Sequence, residues 1–304
     1  MIEPPLLRTG SKVGLVSPAK IVLRESVKPA IAMLKSWGLQ VSTGKYAFAK
    51  HYQFAGTDKQ RSHDLQTMLD DPEMEAIFCI RGGYGTTRII DTLDFTKFLK
   101  QPKWIIGYSD ITALHLHLHN LGVQSIHGTM PLLFARDSEP SLLSLRQALG
   151  LQPSEPYRFP SGADNRRGTT AGQLIGGNLS LIISCVGTAS DVDTTGKILF
   201  LEEIDEYLYH IDRMMVQLKR AGKLRHLAGL IVGHFSAIKD NENAFGKTVH
   251  EIIRDAVKEY NYPVFFGFPA GHEPENLALV CGQEVTLEVK SRLVTLTRLH
   301  QEAL

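Results

Sequence analysis

The first half of the chain alternates short, unbroken apolar runs with longer amphipathic ones, and that alternation restricts the fold more than any other feature. KVGLVSP (Lys12–Pro18), AIFCI (Ala76–Ile80), WIIGY (Trp104–Tyr108) and VQSIHG (Val123–Gly128) are short, apolar and bounded by turn residues. Runs of that kind read as strands buried on both faces of a parallel sheet. Between them lie helical patterns: ESVKPAIAMLKSWG (Glu25–Gly38), closed by a glycine, and TDKQRSHDLQTML, opened by a Thr57 to Gln60 capping box. Strand, helix, strand, helix predicts a parallel sheet with helices on both faces. Such sheets bind ligands at the carboxyl ends of their strands, where Arg81–Gly85 and Ser109 fall.

At 304 residues the chain exceeds one ordinary domain and fits two of roughly 100 to 200 residues. LQPSEPYRFPSGADNRRGT (Leu151–Thr169) has three prolines, two glycines and no periodicity, so it reads as a linker. The expected division is an N-terminal α/β domain over residues 1–150, a linker over 151–169 and a smaller mixed α/β domain over 170–304. In the second domain AGQLIGGNLSLIISCVGT leads to a strand, KILFLEE (Lys197–Glu203), and then to a helix with Leu208, Ile211, Met215 and Leu218 on one face. A further strand, LAGLIVGHF, precedes a polar helix near Lys247–Tyr260. EVTLEVKSRLVTLTRL alternates with period two around Lys290–Arg292, the pattern of a hairpin.

Charge narrows the partners. Thirty-three basic and 32 acidic residues, mixed along the chain, leave a net +1, too little to gather nucleic acid or anionic lipid, so a small ligand of weak or mixed charge is expected. Cys79, Cys185 and Cys281 are far apart in apolar surroundings, which reads as buried thiols in a reducing compartment. The N-terminus lacks the basic and apolar regions of a leader, and no run approaches the length of a membrane span. The expectation is a mature cytoplasmic protein.

Five stretches carry side chains suited to chemistry. In Gly107-Tyr108-Ser109-Asp110 a strand delivers a serine at a turn into a helix, where free backbone N–H groups favour developing negative charge. The turn resembles a nucleophile elbow without the second glycine of G-x-S-x-G, and helix capping accounts for the same residues. RGGYGTTR (Arg81–Arg88) follows a strand, and its glycines suit close approach to a ligand or an ordinary tight turn; it completes neither phosphate-binding glycine motif. Glu202 closes an apolar strand, where it is either paired, for instance with a histidine, or solvated; strand alternation sends Glu203 to the other side. His272 lies in the loop FPAGHEPEN. His115, His117 and His119 suggest a metal, but only the first and last share a helix face and no H-E-x-x-H is present, so helix surface and packing are preferred.

Taken together, RGGYGTTRIIDTLD, IIGYSDITALH, HGTM, GQLIGGNLSLI, ILFLEEIDEYLYHIDRMM and FPAGHEPENLALVCG resemble, in order and over nearly the whole chain, the LD-carboxypeptidase family of serine peptidases. That family includes the murein tetrapeptide carboxypeptidases and the microcin C self-immunity peptidases. The resemblance implies Ser109 as nucleophile, Glu202 as acidic triad member and His272 as general base, converging in a cleft between two domains. It implies an oxyanion hole from the N–H of Asp110 with that of Gly82 or Gly83, no metal or organic cofactor, and a homodimer. The implied substrate is a muropeptide tetrapeptide whose L-centre is diaminopimelate or lysine, trimmed of D-alanine in cell-wall recycling. Arg81 is the candidate partner for its terminal carboxylate. Two departures, Glu-Pro-Glu-Asn after His272 and Val280 in place of a common proline, touch no triad member. The runner-up is a microcin-immunity-like peptidase cleaving an aminoacyl nucleotide amide; it calls for a base-stacking aromatic, and the linker offers Tyr157 and Phe159. A binding module without turnover is the third reading.

Overall fold

The four apolar runs of the first half become β1 (Lys12–Val16), β3 (Met74–Cys79), β4 (Trp104–Gly107) and β5 (Ser125–His127) of the computed structural model, which describes residues 1–299, and β2 (Gln40–Thr43, QVST), which no apolar run marked, joins them. They run parallel in the order β2-β1-β3-β4-β5. Alternate side chains feed two separate cores. Phe78 and Ile106 pack with Val27, Ala30 and Leu34 of α1 (Arg24–Ser36). Ile77 and Ile105 pack with Leu65 and Leu69 of α2 (Asp58–Asp70), together with Phe98 of α3 (Thr96–Lys100). The sheet is therefore covered on both faces, and the Thr57–Gln60 capping box opens α2. The strand order changes direction between β1 and β3, and loops after strands that flank such a switch diverge to leave a crevice.

Helix α4 (Thr112–Asn120) follows β4, and α5 (Glu139–Ala148) follows β5. The second half builds β6 (Tyr157–Pro160), β7 (Gly168–Asn178), β8 (Ile198–Ile204), β9 (Gly229–Ser236), β10 (Val264–Phe266), β12 (Glu284–Val289) and β13 (Leu293–Arg298) into one sheet; the short β11 (Leu279–Cys281) stands apart from it. Its order is β10-β9-β8-β7-β12-β13-β6, parallel through the first four strands and antiparallel beyond, with β12 and β13 forming the expected hairpin. Helices α6 (Leu179–Cys185), α7 (Leu208–Arg220) and α8 (Val249–Val257) share a core with β7 to β10.

Two segments depart from the simple division of the chain. Residues 151–169 carry β6, which pairs with β13, and its Tyr157 and Phe159 pack against Phe268. An edge strand ended by proline is hard to tell from a linker, because one of its sides is free and its pattern is weak. The late strand β11 joins the first sheet, antiparallel to β5, with Leu279 opposite His127. That crossing holds residues 271–278 over the carboxyl end of the first sheet.

The two halves meet along α4. Its Ala113 and Leu116 belong to the core of the second sheet, while Leu114 and Leu118 belong to that of the first. Full burial of each leucine contributes roughly 1.5–3 kcal/mol, so the helix that starts at the candidate serine is fixed from both sides. Asn178 N–H donates to Thr112 Oγ1 at 3.0 Å across the same seam.

Candidate active site

Ser109 stands two residues beyond Gly107, the end of β4, with φ 63°. That left-handed conformation costs a non-glycine residue on the order of 1–3 kcal/mol and persists only where the surroundings impose it. Here Tyr108 and Asp110 on either side are buried and leave Ser109 half-buried at the edge of a cleft. The turn Ser109–Ile111 leads into α4, and no side chain caps either segment, so the hydroxyl is not spent on capping. Asp110 Oδ2 accepts from Thr86 N–H at 2.8 Å, which ties the serine turn to the glycine loop. Burial raises the Asp110 carboxyl above its ordinary pKa, against the hydrogen bond from Thr86.

The glycine loop abuts Ser109. A Cβ on Gly82 would stand 3.1 Å from Ser109 Cβ and 3.4 Å from Asp110 N, so a side chain there would have to push the two loops apart by a few tenths of an ångström, which glycine avoids. Gly83 has φ 115°, a conformation that L side chains rarely adopt. Arg61, fully buried, bonds Gly85 O at 2.8 Å and also Pro18 O and Asp58, fastening the loops after β1 and β3 to the start of α2. No sequence pattern marked Arg61, because a buried arginine is indistinguishable from a solvated one within a helix.

Glu202 and His272 meet. Glu202 Oε2 accepts from His272 Nδ1 at 2.7 Å; the carboxylate is fully buried and the imidazole 14% exposed. Burial depresses the pKa of His272, but the charge of Glu202 and its hydrogen bond outweigh burial, and the net result lies above the ordinary imidazole value. The histidine loop is anchored at three points: Gly271 N–H to Asn276 Oδ1 at 3.0 Å, Asn276 N–H to Ser141 Oγ at 2.7 Å, and Ser138 N–H to Pro274 O at 2.8 Å. The Tyr108 ring lies 4.9 Å from that of His272.

Glu203 does not turn away from the site as alternation along β8 predicts. The register between β8 and β9 shifts between Leu201 and Glu203, which breaks the two-residue alternation. Glu203 accepts from Asn178 Nδ2 (2.7 Å), Ser180 N–H (2.7 Å) and Ile204 N–H (2.8 Å), and it lines the cleft. The two neighbouring carboxylates differ in engagement: Glu202 holds a histidine, whereas Glu203 holds the start of α6.

Ser109, His272, Gly82, Gly83 and Arg81 line one cleft of about 530 Å³ between the halves. Ser109 Oγ makes no hydrogen bond among the described residues. Arg81 reaches the cleft with its Nη1 bonded to Ile21 O at 2.9 Å. Sequence reasoning passed over two other cations there, Lys20 and Arg136. Lys20 follows β1, so the rule that singled out Arg81 after β3 would have found it; nothing local marks Arg136. The three helix histidines diverge: His115 is buried between Ser125 Oγ and Gly107 O, both at 2.8 Å, while His117 contacts Ser190 Oγ at 3.1 Å. No group of three or more His, Cys, Asp or Glu among the described residues is arranged to hold a metal ion, and no described helix is long and apolar enough to cross a membrane.

Known proteins share this architecture. The family profile described as the LD-carboxypeptidase N-terminal domain matches residues 13–128, and that of the LD-carboxypeptidase C-terminal domain matches residues 171–287. A probable murein peptide carboxypeptidase of Bacillus subtilis is 34% identical over 297 residues, spanning 95% of this chain and 92% of that protein. The crystal structure of muramoyltetrapeptide carboxypeptidase from Oxalobacter formigenes aligns with a TM-score of 0.86 at 29% identity, over 96% of this chain and all of that one. The microcin C7 self-immunity protein MccF aligns with a TM-score of 0.87 over 98% of this chain and 99% of its own; at 19% identity the likeness is one of fold. With both halves matched in order, the chain belongs to the LD-carboxypeptidase family and is a serine-type carboxypeptidase.

Proposed function

We propose that this enzyme releases the terminal D-alanine from a murein tetrapeptide through a Ser109–His272–Glu202 triad. The observation that carries the reading is the buried Glu202–His272 pair facing the same cleft as a serine held at positive φ. With its Nδ1 proton committed to Glu202, the imidazole leaves Nε2 to take the proton from Ser109 as the hydroxyl attacks the carbonyl of the L-centre. The tetrahedral oxyanion is met by the N–H of Asp110 and by that of Gly82 or Gly83, none of which is engaged in the described backbone bonds outside regular elements. His272 then protonates the departing D-alanine, and water, activated by the same nitrogen, hydrolyses the acyl-enzyme. No step calls for a cofactor. A cytoplasmic homodimer acting in cell-wall recycling belongs to the same reading.

The test is mass-spectrometric analysis of a muropeptide tetrapeptide incubated with the enzyme. Tripeptide and free D-alanine are expected; a tetrapeptide left intact would refute the reading. Cleavage of an aminoacyl nucleotide is the weaker alternative, because Tyr157 and Phe159, the aromatics that the 151–169 segment offers to stack a base, pack against Phe268 and neither lines the cleft.

The state of His272 sets the pH dependence. The base must be neutral, and its pKa lies above the ordinary 6.5, so kcat/KM should fall with decreasing pH along a limb centred above 6.5. A limb at or below that value would count against His272 as the base.

A further inference from the structure

The charges lining the cleft are unequally answered. Its acids are engaged: Glu203 by three donors, Asp205 by Lys239 at 2.5 Å, and Glu206 by His210 at 2.6 Å. Its cations are not. Among the described residues Lys20, Arg81 and Arg136 form no ion pair, and of their side chains only Arg81 makes a hydrogen bond, to a backbone carbonyl.

These cations fall into two groups by their place in the fold. Lys20 and Arg81 follow β1 and β3 at the switch point; Ile21 O, one residue past Lys20, holds Arg81, and the Lys20 side chain packs along Gly83. Arg136 comes from the turn after β5, beyond Met130, Leu132 and Leu133, which line the cleft beside it. One terminal carboxylate answers the first group and leaves Arg136 unmatched.

Resting on the carboxypeptidase reading above, we propose that Arg136 binds a second carboxylate, carried on the side chain of the residue whose carbonyl is attacked, so that the enzyme selects a diaminopimelate peptide over its lysine counterpart. A guanidinium suits this task because it stays charged and offers a planar pair of donors to a carboxylate. Met130, Leu132 and Leu133 supply an apolar wall for the methylenes between that carboxylate and the backbone.

The experiment compares two tetrapeptides that differ only in having meso-diaminopimelate or lysine at the third position. Their affinities for the Ser109→Ala protein are measured by titration calorimetry and their turnover is measured with the wild type. The diaminopimelate peptide should bind about 10- to 100-fold more tightly, the range of one charge-assisted pair. Arg136→Gln should erase most of that difference, Arg136→Lys should keep part of it, and Lys20→Gln should weaken both peptides alike. Equal affinities, or a preference that survives Arg136→Gln or is removed by Lys20→Gln, would overturn the assignment. Because the preference is read from binding, failure of the carboxypeptidase reading shows separately, as no D-alanine released from either peptide.

Discussion

Replacing Ser109 by alanine should lower kcat for D-alanine release by roughly 10⁴- to 10⁶-fold, the scale on which loss of a serine nucleophile acts when the rest of the machinery survives. The survival follows from the geometry. Ser109 Oγ makes no described hydrogen bond and caps no helix, so its removal leaves no partner unsatisfied. The backbone turn is imposed by buried Tyr108 and Asp110 and by the α4 packing, none of which the hydroxyl touches. Thermal stability should therefore stay close to wild type, and muropeptide affinity should persist. Ser109→Gly sharpens the test. Relief of the left-handed strain should make it more stable than the alanine variant by about 1 kcal/mol while leaving it equally inactive. Turnover retained in either variant would remove Ser109 from the chemistry. A glycine variant less stable than the alanine one would show that the turn is not strained.

The alternation of apolar and amphipathic runs revealed the first sheet because buried parallel strands have a pattern that only neighbouring secondary structure, not distant contacts, has to supply. The serine turn was legible for the same reason. What Ser109 does was not, since capping and nucleophilic attack call for the same residues at the same place; only the unspent hydroxyl and the positive φ separate them. The Glu202–His272 pairing depends on a strand and a loop 70 positions apart and was reached by resemblance, not by local pattern. Glu203 defeated the alternation rule because a register shift is a property of two strands together. β2, β6 and β11 escaped notice because each is short and owes its strand form to a partner remote in sequence, β1, β13 and β5 respectively. Lys20, Arg61 and Arg136 gain meaning only where loops from several strand ends meet.

Glu202→Gln should reduce kcat by about 10⁴-fold with little change in peptide affinity. Two losses combine. The carboxylate is an acceptor only, so it obliges His272 to carry its proton on Nδ1 and to keep Nε2 open toward the cleft. A glutamine at this position also offers an N–H₂, and when that group faces His272 the ring takes the opposite tautomer, with its proton on the nitrogen that must act as base. The second loss is charge. The imidazolium formed as Ser109 is deprotonated sits 14% exposed, and without the negative charge of Glu202 only the weaker influence of Glu203 and Glu273 opposes burial. The sign of the pH effect follows: the residual activity should show its acid limb at lower pH than the wild type, because burial depresses the pKa that Glu202 had raised. Glu203→Gln is the contrasting variant. Its carboxylate holds Asn178 and the first turn of α6, so its loss should act mainly on thermal stability and move the acid limb less than the Glu202 change does, because its charge raises the His272 pKa less than that of Glu202. Kinetics of both variants across pH, with melting temperatures alongside, decide between the two glutamates. An acid limb that moves further with Glu203 than with Glu202 would reverse their roles.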